Sequence, residues 1–361
     1  MKRITIGIFI IIGVATAGFA QILDKPAATI NYHESDIITV KQLEIAVNQM
    51  RQQYSMTGQP MPSKGSILEE LIISKLILQA AKKEDISVTE SEVKAAVRAQ
   101  LGPSGVNVTD EQLKMLIRQQ TGMSWADYLK QGKEQLMVQN YIKMKKKSLF
   151  ENITPPSEEE IREIYNENQH LFINPEMVRF SQIFRDTRTL SREEKRKALE
   201  LMEEIYRDLQ NGRSGFDELV IKYSDDTKSR YQGGDVGYLP RNDVKTKQLL
   251  GKEFFNAAFE TPVGETTGII ESNIGYHILK VTEKLPARIL GLNDKVTPAS
   301  NETVRERIIS LKTMEQQQKL FQQAVGEIVN DLKRYADITI YADNVEISVS
   351  ELSYFKENVR S

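Results

Sequence analysis

The sequence predicts a multidomain protein of the α plus α/β class. Three observations support this fold class. The chain has 361 residues, which is too long for one compact hydrophobic core. Helix-start patterns recur through the first half of the chain. From residue 176 to residue 284, short alternating segments typical of strands lie between helical ones, which predicts a separate α/β domain.

The first twenty residues have the pattern of a secretory signal peptide. Lys2 and Arg3 are basic, residues 4–14 are almost wholly apolar, and small residues lead up to Ala20. The apolar run is shorter than the ~20 residues that span a bilayer. We therefore expect export to the periplasm or cell envelope with cleavage after Ala20, and an uncleaved membrane anchor is the alternative. No later segment is predicted to span a membrane.

Composition excludes several classes of function. The 48 basic and 50 acidic residues give a formal net charge of -2, so no nucleic-acid-binding surface is expected. The chain has no cysteine and three widely spaced histidines, which argues against redox chemistry and a metal site. A glycine-rich phosphate loop with Lys and Ser/Thr is also absent, which disfavours an ATPase. We expect no cofactor and no metal.

The first half is predicted to begin with a strand or hairpin over residues 28–40 and to continue as helices. Residues 67–81 are apolar on nearly every side, which predicts a buried helix, and residues 124–147 form an amphipathic one. The lysines at 145–147 are interpreted as a solvated helix end. Four residue pairs have the spacing of a capping box: Ser66 with Glu69, Thr89 with Glu92, Thr109 with Gln112, and Ser157 with Glu160.

The α/β segment and the C-terminal region follow in order. The predicted strands cover residues 177–184, 267–270 and 276–281, and the predicted helices cover residues 191–210, 216–223 and 253–259. Asn301 to Tyr335 is predicted to be one long helix, whose apolar stripe requires a partner. A strand is predicted at residues 338–341, and the tail after it has no clear pattern.

An ordered set of motifs in residues 176–284 resembles a parvulin-type peptidyl-prolyl isomerase domain. The segment begins with a strand around Gln182 and continues through an Asp225-Asp226 pair. A single Gly-Gly-Asp is a weak signal, whereas the whole set in this order is specific. The motifs are Val178-Arg179-Phe180-Ser181-Gln182-Ile183, Tyr223-Ser224-Asp225-Asp226, Gln232-Gly233-Gly234-Asp235-Val236-Gly237, Phe254-x-x-Ala257-Ala258-Phe259, Val263-Gly264-Glu265, and Gly275-Tyr276-His277-Ile278-Leu279-Lys280-Val281.

The flanking segments are similar to the SurA/PrsA group of exported foldases. This resemblance implies a helical chaperone domain at residues 21–174, which a C-terminal helix and strand at residues 286–341 complete. A parvulin-like domain at residues 175–285, with a four-stranded and largely antiparallel sheet flanked by helices, would be inserted between these two parts. Residues 342–361 form a tail that the resemblance does not cover.

The resemblance also implies a set of site residues. The proline ring would lie in a slot lined by Val236, Leu250 and Phe254, with Phe259 nearby; an interpretation as core residues is favoured for Phe259 but not for Phe254. His277 matches the second histidine of the family, and Asp226 stands at a position that is Cys or Asp. Gln182 replaces the expected first histidine, and weak isomerase activity is therefore the alternative expectation.

Three functional hypotheses follow from these residues. The first is a folding factor that binds unfolded exported polypeptides and isomerises their X–Pro bonds, a reaction that requires no cofactor. The second is an ATP-independent holdase whose parvulin domain binds proline-containing segments but barely isomerises them, because Gln182 replaces a histidine. A structural envelope protein is the third. Seven methionines between Met50 and Met144 favour a surface that binds many partners, unless they fill gaps in the core.

Overall fold

The structure is a computed structural model that describes residues 24–57, 59–101 and 108–360. The predicted signal peptide and its cleavage site lie outside these residues. The chain divides into two compact units, one formed by residues up to 154 together with residues from 313 onward, and the other by residues 155–312. The second unit is longer at both ends than the isomerase domain predicted at residues 175–285, and that domain boundary remains a prediction.

The first unit joins the two ends of the described chain in one sheet. Its strand order is β10-β9-β1-β2, in which β1 pairs antiparallel with both β2 and β9, and β10 pairs parallel with β9. The prediction that N-terminal and C-terminal segments build one domain is therefore confirmed. The strands are β1 (Pro26–Asn31), β2 (Ser35–Thr39), β9 (Asp337–Tyr341) and β10 (Val359–Arg360).

The helices of the first unit pack around one that is buried along most of its length, as predicted from its apolar sequence. This helix is α2, and its side chains from Ile67 to Ala81 belong to the main core cluster. The unit contains α1 (Val40–Thr57), α2 (Lys64–Lys83), α3 (Glu90–Gln100), α4 (Asp110–Thr121), α5 (Trp125–Lys145), α6 (Lys147–Glu151), most of α12 (Val304–Leu332), and α13 (Ala342–Val345). No helix of the described residues is long and apolar enough to cross a membrane.

Three of the four predicted capping boxes are confirmed, and the fourth prediction is wrong. The boxes at Thr89, Thr109 and Ser157 each show both reciprocal hydrogen bonds. In α2, however, Ser63 is the N-cap, so Ser66 lies within the first turn. Glu69 instead accepts hydrogen bonds from backbone N–H groups of the C-terminal tail.

The long C-terminal helix is shorter than predicted because a capping box fixes its start. The backbone N–H of Thr303 donates to Glu306 Oε2, and the backbone N–H of Glu306 donates to Thr303 Oγ1. The lysines predicted to form a solvated helix end also make ion pairs: Lys145 with Glu84, and Lys146 with Glu327. Solvent exposure and ion pairing coexist at this end of α5.

The second unit contains an antiparallel four-stranded sheet, as predicted for the α/β domain. The strand order is β5-β4-β7-β6, and β4 and β7 are the long central pair. Helix α10 lies in a stretch for which the sequence predicted no helix. The strands are β3 (Ile173–Asn174), β4 (Met177–Asp186), β5 (Asp235–Pro240), β6 (Ile270–Ser272), β7 (Gly275–Leu285) and β8 (Arg288–Ile289); the helices are α7 (Glu158–Glu167), α8 (Arg192–Gln210), α9 (Phe216–Tyr223), α10 (Val244–Leu250) and α11 (Lys252–Glu260).

The two faces of this sheet bury different helices. One cluster packs Phe254, Phe255 and Phe259 of α11 against β4 and β7. The other packs α8 and α9 against Ile183 and Ile278 on the opposite face. Because side chains alternate along a strand, β4 and β7 supply both clusters and hold the sheet between two helical layers.

Candidate functional site

An open cleft of about 600 Å³ lies on the α11 side of the sheet in the second unit. Strands β4, β5 and β7 and helices α10 and α11 contribute to it, together with the loop that follows α9. The cleft is not filled by the protein's own side chains. Its lining combines apolar and polar residues: Phe180, Gln182, Phe184, Asp186, Arg188, Asp225, Asp226, Thr227, Lys228, Val236, Gly237, Tyr238, Leu239, Asp243, Thr246, Leu249, Leu250, Phe254, Ile274 and His277.

Strand register brings two of the predicted site residues together. In the β4–β7 ladder, Gln182 lies opposite Leu279, and His277 lies opposite Phe184. Gln182 and His277 are therefore diagonal neighbours on the same face of the sheet, within reach of each other's side chains. Asp226 comes from the loop after α9 and meets them from the side.

These three side chains form a continuous hydrogen-bonded row. Gln182 Nε2 donates to Asp226 Oδ2 at 2.9 Å, and His277 Nδ1 lies 3.1 Å from Gln182 Oε1. Since the amide nitrogen donates to the carboxylate, the amide oxygen faces the histidine and Nδ1 must carry a proton. Ser272 Oγ lies 2.8 Å from His277 Nε2 and donates to it in this tautomer.

Burial and hydrogen bonding set the charges of the row. His277 is 1% exposed, and burial lowers its pKa to about 3, against a smaller opposing effect of the Asp226 charge. Burial acts to raise the pKa of Asp226, but hydrogen bonds from Ser229, Gln182 and the backbone of Lys228 outweigh it and hold that pKa below its usual range. Near neutral pH the row is therefore a neutral imidazole, an amide and a carboxylate.

Aromatic rings enclose His277 below the cleft surface. Phe184 stacks on the imidazole with ring centroids 4.7 Å apart, and Phe254 meets it edge-on at 4.9 Å. Phe180 in turn packs against Phe254. This packing explains the strong desolvation of His277 and fixes the orientation of the ring.

Comparison with known proteins finds a matching family for each of two parts of the chain. Residues 170–283 match the family described as the PPIC-type PPIASE domain, and residues 2–142 match the SurA-like N-terminal domain. The chain therefore combines a PPIC-type isomerase domain with a SurA-like N-terminal domain. The resemblance predicted from the motifs is confirmed.

Several curated proteins are similar to this chain. Foldase protein PrsA of Caldanaerobacter subterraneus is 25% identical over 286 residues, which cover 79% of this chain and 73% of that protein. Foldase protein PrsA 3 of Bacillus cereus is 32% identical over 142 residues, which cover 38% and 42%. Chaperone SurA of Idiomarina loihiensis is 24% identical over 268 residues, which cover 73% and 58%. The last two matches span about half the length of those relatives.

Among solved structures, a SurA-like chaperone of Campylobacter jejuni is 17% identical to this chain. The match has a TM-score of 0.32 and covers 82% of this chain and 94% of that one. At this TM-score the similarity adds nothing to the family assignment.

The residues predicted to line the proline slot occupy three different positions. Val236 is 48% exposed on the wall of the cleft, and Leu250 is half-buried at the end of α10. Phe254 is fully buried and forms the floor. Phe259 is buried, stacks on Phe255 and does not line the cleft, as expected for a core residue. Their roles in binding a substrate remain predictions.

Sequence reasoning missed two hydroxyl groups of the site. Ser229 Oγ donates to Asp226 Oδ2 at 2.7 Å, and Ser272 bonds the imidazole of His277. The sequence signal for Ser272 was its place between the strands predicted at residues 267–270 and 276–281, where a connecting turn commonly carries polar side chains.

Proposed function

We propose that this protein catalyses cis–trans isomerisation of X–Pro bonds in unfolded exported polypeptides and holds these polypeptides while they fold. The observation that carries the proposal is the open cleft, in which a charged Asp226 lies at the polar side of an apolar floor. The proline-containing segment of an unfolded chain is the substrate class that fits this combination.

The apolar part of the cleft suits a pyrrolidine ring. Val236 and Leu250 offer exposed or half-exposed apolar side chains, and Phe254 lies beneath them. Holding the ring there fixes one side of the X–Pro bond, while the residue before proline stays free to rotate. Binding energy from the ring is then available to favour the twisted amide over the planar one.

The polar side of the cleft acts on the resonance of the amide. A planar amide places partial negative charge on its carbonyl oxygen, and this resonance creates the barrier of ~18–20 kcal/mol. A carboxylate beside that oxygen raises the free energy of the planar form more than that of the twisted form. Asp226 is the group we assign to this role, and no proton transfer is required.

Gln182 and His277 position Asp226 in this mechanism. Gln182 donates to the carboxylate that faces the cleft, and His277 fixes the amide of Gln182 through the bond at Nδ1. Neither group has to change its protonation state during rotation. A glutamine can therefore replace the family's first histidine without removing the chemistry that the mechanism uses.

The isomerase proposal is tested with the full chain and an X–Pro peptide. We expect Asp226→Asn to lower kcat/KM at least tenfold, because the amide keeps the shape of the side chain but loses its charge. Asp217→Asn, on the exposed side of α9, is the matched control and should not change the rate. A native protein that isomerises the peptide no faster than buffer would overturn the catalytic assignment.

The holdase hypothesis rests on a specific observation, the glutamine at position 182. If Gln182→His raises kcat/KM by a large factor, the native domain is a binding module with little activity. If the rate is unchanged or falls, the glutamine is compatible with catalysis. Suppression of the aggregation of an unfolded client by the native chain, measured by light scattering, tests the holding function independently.

The methionines in the first unit give partial support for holding. Met115 and Met144 are 61% and 50% exposed, whereas Met50, Met61 and Met137 pack against the core. Met123 lines a groove between α3, α4 and α5. The expectation that some of them fill core gaps and others lie on the surface agrees with these positions, except for Met56, whose side chain is outside the described residues.

Export through a cleaved signal peptide is part of the proposal. The basic start, the apolar run and the small residues before Gln21 carry it. Mass spectrometry of the protein recovered from the cell envelope should give a chain that begins at Gln21. A recovered chain that retains residues 1–20 would indicate a membrane anchor instead.

A further inference from the structure

A second groove, in the first unit, has a chemistry that the isomerase cleft does not share. It has a volume of about 290 Å³ and lies between α2, α5 and α12, with Tyr354 of the tail at its border. Most of its lining is apolar. The lining residues are Ile67, Glu70, Leu71, Ile73, Ser74, Ile77, Val138, Gln139, Ile142, Phe321, Gln322, Val325 and Tyr354.

Glu70 is the one acidic or basic side chain among the described residues that line this groove. It makes no hydrogen bond or ion pair with any described residue, although Ile67, Leu68, Glu69 and Ile72 beside it on α2 are buried. Partial burial raises the pKa of Glu70, because nothing in the groove compensates its charge. An incoming cation would supply that compensation.

The groove adjoins a second one that is lined with glutamines. The two share Gln139 of α5, and the glutamine-lined groove has a volume of about 490 Å³. From Gln131 to Ile142, α5 borders both over roughly 16 Å, the length of about five residues of extended chain. Primary amides can donate to and accept from a peptide backbone. The amides along this groove belong to Gln53, Gln100, Gln120, Gln131, Gln135 and Gln139.

We propose that the two grooves bind one extended polypeptide segment, and that a lysine or arginine of this segment pairs with Glu70. The proposal rests on the proposed function that the protein holds unfolded chains, and it specifies which segments are preferred. Lysine and arginine have long aliphatic stems that suit the apolar lining, and a cationic end that suits the carboxylate. A small inorganic cation would leave the apolar lining uncovered.

Charge complementarity decides between this occupant and a purely apolar segment. Packing an aliphatic side chain over Glu70 would bury the carboxylate further without a partner, which is costly. A cation in the same place forms a charge-assisted hydrogen bond in a partly desolvated environment. We therefore expect a preference for basic segments rather than for merely hydrophobic ones.

A pair of fluorescent peptides tests the proposal with the full chain. Both peptides contain ten residues of Leu, Ile, Ser and Gln, with either one central arginine or citrulline, its uncharged isostere, at the same place. We expect fluorescence anisotropy to show about tenfold tighter binding of the arginine peptide. Glu70→Gln should reduce this difference to less than twofold, and Glu70→Lys should reverse it.

The matched control is Glu357→Gln, which makes the same charge change at an exposed position outside the lining. It should keep the preference for arginine. If both peptides bind equally to the native chain, or if Glu70→Gln keeps the preference, the groove proposal is overturned while the holding function stands. If neither peptide binds, the holding function fails as well.

Two other occupants would give distinct results and would also overturn the proposal. If the native chain is a dimer by analytical ultracentrifugation and Glu70→Gln makes it monomeric, the groove contacts a second copy. If replacing Lys2 and Arg3 by glutamine in the full chain raises the affinity for the arginine peptide tenfold, the groove binds the protein's own N-terminal segment.

Discussion

His277 Nδ1 lies 3.1 Å from Gln182 Oε1, and this bond joins a buried neutral imidazole to the amide that holds Asp226. Gln182 thus has a partner at each end of its amide. The amide group of Gln182 cannot be flipped, because its oxygen would then face the carboxylate of Asp226. The row therefore has one favourable arrangement of protons. In this arrangement the amide nitrogen of Gln182 donates to Asp226.

Replacing Gln182 by alanine should therefore lower isomerase activity more than stability. The change removes the donor to Asp226 and leaves the carboxylate free to rotate, so we expect kcat/KM for an X–Pro peptide to fall about tenfold. The KM should change less than kcat, because the apolar wall of the cleft remains. Gln210→Ala, at the exposed end of α8, is the control. Equal rates for Gln182→Ala and native protein would show that the row does not position Asp226.

The pH dependence of activity should be flat across the neutral range. With the pKa of His277 at about 3 and that of Asp226 below its usual range, neither group titrates between pH 5.5 and pH 8. We expect kcat/KM to vary less than twofold over this interval. A bell-shaped profile centred near neutrality would mean that the imidazole takes part in proton transfer.

Stability, in contrast, should fall with acidification. The folded-state pKa of His277 lies below its ordinary value of 6.5, so the unfolded chain binds more protons as the pH falls from 6.5 toward 3. We expect a loss of about 2 kcal/mol between pH 7 and pH 5. Urea unfolding followed by circular dichroism measures it. His277→Gln should reduce this pH dependence, and the matched change at the exposed His33 should leave it intact.

Much of the candidate site could be predicted because its motifs keep their order along the chain. Gln182, Asp226 and His277 were identified from the sequence, and the β4–β7 register explains why two of them meet. Ser229 and Ser272 were not, since a lone serine near a turn has no pattern that distinguishes it from a solvated one. Their partners, Asp226 and His277, are close in sequence, but the local backbone turns decide which hydroxyl group reaches the site.

The first unit shows where local patterns are insufficient. Ser66 and Glu69 have the spacing of a capping box, but helix α2 begins earlier and Glu69 binds the tail 284 residues further on. A local signal cannot reveal such a partner. The tail had no clear pattern because its core residues Val345, Leu352 and Phe355 are separated by polar or partly exposed ones.

Gly234 packs closely against the backbone of β4 at Gln182, and replacing this glycine tests whether the close approach is required. Its φ is +78°, and an added Cβ would lie 2.7 Å from the backbone oxygen of Gln182. We expect Gly234→Ala to lower the urea midpoint and kcat/KM together, because β4 must shift. Gly212→Ala has a similar φ of +63° but meets no atom within 4 Å, so it isolates the cost of the backbone conformation. Equal effects of the two changes would contradict the steric argument.

The wall of the cleft can be tested without disturbing the core. Val236 is 48% exposed, so Val236→Asp should fold normally but place a second negative charge where the proline ring would lie. We expect kcat/KM to fall at least tenfold, mainly through KM. Val263 is 55% exposed and outside the lining, and Val263→Asp should leave the rate unchanged. Unchanged activity of Val236→Asp would remove Val236 from the substrate site.

The tail should depend on Glu69 for its attachment. This carboxylate is 4% exposed and accepts the backbone N–H groups of Ser353, Tyr354 and Phe355 at 2.7, 2.7 and 3.1 Å. Glu69→Ala leaves three donors without their acceptor, and each unsatisfied donor costs ~1–3 kcal/mol when it stays buried. We expect the first unit to lose about 3 kcal/mol of stability.

The single tryptophan makes this loss measurable in the first unit alone. Trp125 begins α5, so its fluorescence during urea unfolding reports on that unit. Trypsin should also cut Glu69→Ala faster at Lys356, because release of the tail exposes the chain there. Glu69→Gln, which keeps one acceptor oxygen, should lose less, and Glu70→Ala should lose little because its carboxylate has no partner among the described residues. A tail that resists trypsin in Glu69→Ala would show that Leu352 and Phe355 hold it without the carboxylate.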